Sequence, residues 1–570
     1  MKFFKRNTSS HALLANLIEY GVDRVFLVPG ESYLGVLDAL NDFPLLDVVT
    51  CRHEAGAGFM AVADGRIARR AGVVMVSRGP GATNASIAVH TAQQDAVPLI
   101  LIIGQVPVGS LGREAFQEID YQKMFGGIAK WVAEPISPEQ LAGVAAKAMQ
   151  LAVSGTPGPV VIVLPEDIQQ QEVPVSLYKQ PDMIVGAPTV EAVAQLKSML
   201  SQAKRPLIVA GGSFDVKGGR EALRAFAESW DVPVAVSFRR HDLFPNNHPL
   251  YAGDLGLSNP APQMQAFHDC DLLMALGTRF GDITSQGYNF PLMPRPRQTV
   301  VHCFQDYSAI GRQFVVDLGI VCDPVLLVRQ TLPGSANPAT QHDGWTRRLR
   351  SIYEEIARWP VAGKGNTDGI TVTEMAQVLA DVAPSGTLVC LDAGTFGAPF
   401  YRHFPFGRSH RLLAPISGAM GYGVPAAVAA QLREPDTRVV CVVGDGGFMM
   451  TGNEMIAAVS RRLPILFLLS NNDQYGSIRL HQDNQYPGRH AGTSLFNPDF
   501  LELARAFGVA SERVTTFDQL APAFARGLTV TDGPYFLEIR TKLPVVAAAH
   551  VAELEVCTDA KQVTRYEAND

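Results

Sequence analysis

The stretch from Gly444 to Asn472, "GDGGFMMTGNEMIAAVSRRLPILFLLSNN", sets an aspartate among glycines after an apolar run and ends on two asparagines. Glycines at 444, 446 and 447 let backbone N–H groups come close to an anion such as a diphosphate. A carboxylate in the same loop repels that anion, so the pattern makes sense with a divalent cation between them. The Asp445 carboxylate and the Asn472 side-chain carbonyl are hard oxygen donors, suited to Mg²⁺ or Ca²⁺ rather than zinc. "RVVCVV" before the loop and "ILFLLS" after it read as strands of a βαβ unit, which makes them parallel. Asp445 and Asn472 then lie at the carboxyl ends of parallel strands, where open α/β sheets bind ligands. Thr451 and Glu454 have capping-box spacing, which predicts a helix starting near Gly452. A bare G-D-G is equally a strand-turn-helix corner with a capping Asp; the two asparagines favour the metal.

A second acid stands far from the first. "LDVVTCRHEAGAGFMAVADGRIARR" places Glu54 just past a strand-like run, at the start of a helical one. A carboxyl there can exchange a proton with a ligand, or it can simply be an acid favoured by the helix macrodipole.

Many short elements must hold these groups. Apolar runs that end in Gly, Pro or polar residues recur through the chain, as strands buried on both faces of a parallel sheet do. The first third has "VDRVFLVPG", "LDVVTCRHE", "GVVMVSRGPG", "PLILIIGQ" and "GPVVIVLP"; the middle has "RPLIVAGG", "VPVAVSF", "CDLLMALGTRF" and "TVVHCF"; the last has "GTLVCLDAGT", "RVVCVVGDGG", "LPILFLLSNN" and "GPYFLEIRT". Long connections at 168–189 and about 332–367 part the thirds. The expected fold class is α/β, with three domains at 1–175, 190–335 and 365–550, each a central parallel sheet flanked by helices, and a polar tail at 551–570. The last strands of the first and third domains both open on Gly-Pro, at Gly158 and Gly533, a hint of duplication.

A net charge of −7 over 570 residues gives no basic footprint for nucleic acid. The seven cysteines are scattered without a C-x-x-C pair, which reads as reduced thiols in a cytoplasmic protein. The opening residues read as a short tail leading into an amphipathic helix rather than a secretory leader, and no apolar run approaches the roughly 20 residues of a membrane span.

The G-D-G, the spacing and the closing N-N resemble the signature of thiamine diphosphate enzymes. That resemblance covers about Leu13 to Thr541 and implies a pyrimidine, a central and a diphosphate domain. It implies that Asp445, Asn472 and the backbone carbonyl of Gln474 hold Mg²⁺, while Gly444, Gly446, Gly447, Tyr475 and Gly476 line the diphosphate. "DAGTF", with Gly394 and Thr395, sits where the family contacts that diphosphate. Glu54 would bond the N1′ nitrogen of the aminopyrimidine and thereby activate the cofactor. "GPGATN", with Gly79, Gly81 and Asn84, resembles the Gly-rich turn near that glutamate. "SGAMGYGVPAA", with Gly418 and Met420, resembles the segment under the thiazolium. Met420 would bend the cofactor, or else fills core. In the family the two acids meet across a subunit interface, so a homodimer or homotetramer is implied.

"GQVPVGSLGREAFQEIDYQKM" is similar to acetohydroxyacid (acetolactate) synthases, which implies active-site roles for Gln105, Phe116 and Gln117. "LGTRFGD" resembles their flavin-contacting segment, so FAD in the central domain is a further implication, with Arg279 touching substrate, touching flavin or making an ion pair. Two positions depart: His481 stands where the synthases have an acceptor-pocket tryptophan, and Gln305 replaces an acid. They leave the acceptor and the flavin open. The expected activity is thiamine diphosphate- and Mg²⁺-dependent decarboxylation of a small 2-oxoacid with transfer to a second carbonyl, with His481 a further substrate contact. Alternatives are a non-oxidative decarboxylase, a flavin-dependent oxidoreductase, which "GGSFDVKGG" matches poorly, and a non-catalytic relative.

Overall fold

Three six-stranded parallel sheets follow one another along the chain. The computed structural model describes residues 7–542 apart from 175, 182–185, 258, 334–341, 343, 361–368 and 408–409. The predicted tail and Cys557 lie outside the described residues, as do parts of the second long connection, whose described middle is not a bare linker but the helix Trp345–Ala357, packed through the buried Trp345 and Leu349.

The first sheet has β1 (Arg24–Leu27), β2 (Asp47–Thr50), β3 (Gly72–Ser77), β4 (Leu99–Gln105), β5 (Trp131–Ala133) and β6 (Pro159–Pro165), in the order 2-1-3-4-6-5. The second has β7 (Pro206–Ala210), β8 (Val234–Val236), β9 (Tyr251–Asp254), β10 (Leu272–Leu276), β11 (Thr299–Phe304) and β12 (Leu318–Val321), in the order 12-11-10-7-8-9. The third has β13 (Leu388–Leu391), β14 (Arg411–Leu413), β15 (Val439–Gly444), β16 (Ile465–Asn471), β17 (Ala510–Val514) and β18 (Tyr535–Arg540), in the order 14-13-15-16-18-17. Counted from its own first strand, the third sheet repeats the order of the first, which strengthens the Gly-Pro hint of duplication. The middle sheet has the doubly wound dinucleotide order, with its switch point between β7 and β10.

Inner strands are buried on both faces, as every residue of β4 and of β16 is. Helices cover the sheets, and the first and third domains share one core. The helix Glu54–Ala68 packs on the helix Gly423–Arg433, with Phe59 edge-on to Tyr422 at 5.6 Å. Both helices are rich in alanine, whose small side chains let them approach closely.

An ion network closes the rim of that interface. Arg433 reaches the fully buried Asp64 at 2.7 and 2.9 Å and Asp23 at 2.8 Å, while Arg24 bridges Asp64 at 3.2 Å and Asp47 at 2.7 Å. Burial opposes ionisation of Asp23 and Asp47, but the arginines around them outweigh it and hold both carboxyls below the usual range. Their contribution is therefore present near neutrality and lost as the pH falls below about 4. Asp64→Ala strands the guanidinium groups of Arg24, Arg433 and Arg70, the last 3.8 Å from Asp64, around an empty site and is expected to cost about 3–5 kcal/mol, seen as a lower thermal midpoint at pH 7.

Candidate active site

β15 and β16 pair in parallel with Gly444 opposite Ser470. Asp445 opens the helix Asp445–Thr451 directly at the end of β15, and Asn472 follows the last residue of β16. The two oxygen donors thus leave neighbouring strands at the same edge. Asp445 is 2% exposed. Burial raises its carboxyl pKa, against hydrogen bonds from Asn497 and the Gly446 N–H. Its Oδ2 accepts from Asn497 Nδ2 at 2.9 Å and its Oδ1 from the Gly446 N–H at 2.9 Å. Asn472 Oδ1 accepts from the Gln474 N–H at 3.1 Å, and Gln474 Oε1 is buried with no protein partner. The carboxylate and the carboxamide suit a hard divalent cation, while the expected third ligand, the Gln474 backbone carbonyl, accepts the Gly476 N–H at 2.9 Å. Among the described residues no set of three His, Cys, Asp or Glu offers an alternative metal site.

Asn497 was not foreseen. Its Nδ2 also lies 3.2 Å from Asn471 Oδ1 and 3.1 Å from Asp473 Oδ1, so one amide ties both strand ends together. The nearby sequence, which only suggests a turn before a helix capped by Asp499, carries no sign of a contact 52 positions away.

The glycines of the loop answer to the protein as well as to any ligand. A Cβ on Gly446 would stand 2.4 Å from the Tyr475 ring, and one on Gly447 would stand 2.3 Å from Asp392 Oδ2. Asp392, at the end of β13, accepts from the N–H groups of Ala393, Gly421 and Tyr422 and so fixes the turn after Met420. Burial pushes its carboxyl up to about 6, against those three bonds. A folded value above the unfolded 3.8 contributes stability at low pH that is lost as the pH rises from about 4 to about 6. Asp392→Asn is expected to remove that slope, gaining up to about 3 kcal/mol on the parent between pH 4 and pH 7 in urea midpoints.

The capping box does not form. Thr451 Oγ1 donates to the Gly421 carbonyl at 2.6 Å, and Glu454 turns away to the first domain. A first helix starts earlier, at Asp445, and the helix expected near Gly452 is present as a 3₁₀ turn at Gly452–Glu454 leading into Met455–Ser460, without its capping box. Tertiary partners took both capping side chains.

Glu54 is the first residue of the helix Glu54–Ala68, half-buried, behind an N-cap at His53 whose Nδ1 accepts from the Ala55 N–H at 3.1 Å. Asn84 Nδ2 donates to Glu54 Oε2 at 2.9 Å. "GPGATN" is no open turn: Gly79, Gly81 and Asn84 lie in the helix Arg78–Asp95. Gly79 is bare because the Gln117 carbonyl crosses there, accepting its N–H at 3.0 Å. Gln117 itself has φ +64°, a left-handed conformation that costs a non-glycine residue energy and collects at functional sites. The structure thus gathers Glu54, Asn84, Gly79, Gly81 and Gln117. Among the described residues no hydrogen bond joins Glu54 to Asp445.

The remaining predicted residues are spread around these groups. Phe116 is 73% exposed. Gln105 is buried at the end of β4 and bonded to Glu134 and to the Val106 N–H. Gly394 and Thr395 open a short turn where the Thr395 N–H donates to Ser477 Oγ at 2.8 Å. Gly418 has φ +71°, and Met420 beyond it is half-buried. Tyr475 and Gly476 begin the helix Gly476–Gln485, whose exposed face carries His481. Arg279 donates to the carbonyls of Gln93 and Gln94, bridging the middle and first domains.

A cavity of about 2050 Å³ opens at the junction of the three domains, away from Asp445, at the carboxyl ends of β7, β10 and β11. Gly212, Arg240, Arg279, His302, Gln305 and Arg312 are among its walls. Arg239 and Arg240 are engaged by the protein: Arg239 Nη1 donates to the Pro415 carbonyl and Arg240 Nη1 lies 3.7 Å from Asp215 Oδ2. Arg279 and Arg312 in the walls of a doubly wound switch point suit the phosphates of a nucleotide.

Comparison with known proteins covers the whole fold. Residues 7–124 match the family described as thiamine pyrophosphate enzyme, N-terminal TPP binding domain; residues 193–331 match its central domain; and residues 392–539 match its C-terminal TPP binding domain. The acetolactate synthase isozyme 2 large subunit of Escherichia coli (strain K12) is 32% identical over 533 residues, 93% of this chain and 94% of that protein. The acetolactate synthase large subunit of Parasynechococcus marenigrum (strain WH8102) is 31% identical over 96% of this chain and 88% of its own length. Among solved structures, a thiamine diphosphate-dependent 4-hydroxybenzoylformate decarboxylase of Rhodococcus jostii RHA1 has a TM-score of 0.80 at 22% identity, covering 94% of this chain and 99% of that one.

Proposed function

This chain belongs to the thiamine pyrophosphate enzymes, and from that premise we propose that it is an acetolactate synthase-like carboligase. It decarboxylates a 2-oxoacid of the pyruvate type and joins the remaining fragment to a second carbonyl compound. The placing of Asp445 and Asn472 at the adjoining ends of β15 and β16 carries this reading, within a chain similar to acetolactate synthases along nearly its whole length. Thiamine diphosphate supplies the electron sink for the pair left behind when CO₂ departs.

The protein's part is to bind, orient and move a proton. Asp445, Asn472 and the backbone carbonyl of Gln474 would hold Mg²⁺, which would neutralise the charge of the diphosphate. Gly444, Gly446, Gly447, Gly394, Thr395, Tyr475 and Gly476 shape the surrounding cradle. Met420, set by Gly418 and the Asp392-bonded turn, shapes the cofactor's apolar side. Glu54, oriented by Asn84, exchanges a proton with the ring nitrogen of the pyrimidine, with Gly79, Gly81 and Gln117 beside it. Phe116, Gln117, Arg279 and His481 are assigned to the substrate region. Glu54 and Asp445 act on one cofactor when two chains face each other, so the working form is a homodimer or a homotetramer. The size and arginine-lined walls of the central cavity support FAD or a related nucleotide as its occupant. The six described cysteines are all free and buried, which supports a cytoplasmic location, and no described helix is long and apolar enough to cross a membrane.

Product analysis tests the reading. The protein loaded with thiamine diphosphate and Mg²⁺ is incubated with pyruvate and a panel of other 2-oxoacids, and the products are weighed by mass spectrometry. Acetolactate or another coupled hydroxyketone is expected. Free aldehyde alone would make the protein a simple decarboxylase, with His481 at the acceptor position as the first residue to examine.

A further inference from the structure

We propose that Glu454 is a positioning residue for Glu54, holding the turn that aims the acid from the third domain of the same chain. The inference rests on the reading of Glu54 as the acid that meets the cofactor.

Glu454 is 0% exposed. Its Oε1 accepts from the N–H groups of Arg52 at 2.9 Å and His53 at 2.8 Å, 402 and 401 positions away. These are the last two residues before Glu54. Glu454 thus takes the last two backbone donors before the helix Glu54–Ala68, and the His53 ring takes the Ala55 N–H within its first turn. Glu454 Oε2 is buried with no hydrogen-bond partner among the described residues. The fit is tight, because a Cβ on Gly56 would stand 2.5 Å from Glu454 Cγ. Burial raises the carboxyl pKa of Glu454, against the two backbone bonds, and the charge of Glu54 adds to the rise.

A carboxyl group taken out of water with half its bonding capacity unused is a costly choice for a mere link between domains. An apolar contact would join the same surfaces more cheaply. What a carboxyl oxygen does here, and an apolar group cannot, is fix two successive amides and with them the direction in which the next side chain leaves the backbone. The neighbouring catalytic group then starts from a set geometry, and small misplacements of such groups cost large factors in rate. Glu454 does not touch the reacting atoms in this scheme and acts through the backbone of residues 52 and 53.

The test compares Glu454→Ala, Glu454→Gln and Glu54→Gln in the full-length protein loaded with thiamine diphosphate and Mg²⁺. Glu454→Ala is expected to lower kcat about 30-fold while the KM for the 2-oxoacid and the calorimetric affinity for thiamine diphosphate move less than about threefold. Without cofactor, the amides of Arg52 and His53 should exchange with deuterium faster than in the parent. Glu454→Gln keeps an oxygen that accepts both N–H groups and should restore kcat to within about threefold, with both amides again protected. If Glu454→Ala stays within about threefold of the parent while Glu54→Gln is inactive, the inference is overturned and the role of Glu54 stands. A parallel loss of kcat and cofactor affinity in Glu454→Ala would reduce Glu454 to an ordinary structural contact and overturn it too. An active Glu54→Gln removes the reading of Glu54 itself, and the inference falls with it. Should the alanine variant not fold, the glutamine variant decides: protected amides with near-parent kcat support the proposal, and a larger loss overturns it.

Discussion

Glu54→Gln is expected to lower kcat by at least about 100-fold, and up to about 10⁴-fold, with cofactor affinity within about threefold of the parent. The substitution is nearly isosteric. A glutamine oxygen can still accept the Asn84 Nδ2 bond now made to Glu54 Oε2, so the side chain keeps its anchor. It cannot take up or release a proton. A loss confined to kcat therefore isolates proton exchange from binding, because uniform binding energy appears in KM and in cofactor affinity. Steady-state kinetics with calorimetric titration of thiamine diphosphate measures both. If the variant turned over like the parent, Glu54 would be no more than an acid at a helix N-terminus. The surroundings of Glu54 argue otherwise. Gln117 is held at φ +64° beside Gly79, whose N–H its carbonyl accepts at 3.0 Å. A strained backbone set beside the helix that carries Asn84, the partner of Glu54, is a cost that helix capping alone does not require.

How much of this was legible in the sequence follows from where each signal sits. Long apolar runs betrayed the inner strands buried on both faces, because such strands have no solvent side to interrupt them, while the buried but short β9, "YAGD", makes no such run. The missed strands β5, β9, β12, β14 and β17 are all at or next to a sheet edge. β17 reads "ASERV" and β12 reads "LGIV", each half open to solvent, so neither makes a continuous run. The Asp445 and Asn472 pair was readable because a βαβ unit forces two strand ends together across a fixed and short separation. Glu454 was misread for the complementary reason. Local spacing offered it a helix cap, while its true partners are amides at Arg52 and His53, and nothing in a local window reports them. Asn497 escaped in the same way, and so did the bonds by which Asp392, within the singled-out "DAGTF", holds the turn after Met420. Their roles come from three-dimensional convergence of loops after β13, β15 and β16, and not from any one segment.

Asp445→Asn should give a protein that folds but does not retain its cofactor. The half-saturating Mg²⁺ concentration is expected to rise at least about 100-fold, since loss of outer-shell partners alone commonly costs about 10–100-fold in metal affinity and this change removes a charged ligand. The fold should survive. The substituted carboxamide would keep the shape of the helix start, and its oxygen can still accept the Gly446 N–H now bonded at 2.9 Å. The Asn497 contact would change more, because its Nδ2 would meet a second amide group in place of Asp445 Oδ2. What disappears is the negative charge that draws a divalent ion to a loop otherwise shaped by N–H groups and glycine. Removing it should also expose the asymmetry of the loop: inorganic diphosphate, repelled by Asp445 in the metal-free parent, should bind the metal-free variant at least as well. Calorimetry with Mg²⁺, with thiamine diphosphate and with inorganic diphosphate separates these effects. Unchanged Mg²⁺ dependence in the variant would place the ion elsewhere, and the meeting of β15 and β16 at Gly444 and Ser470 would then be only a well-packed corner of the sheet.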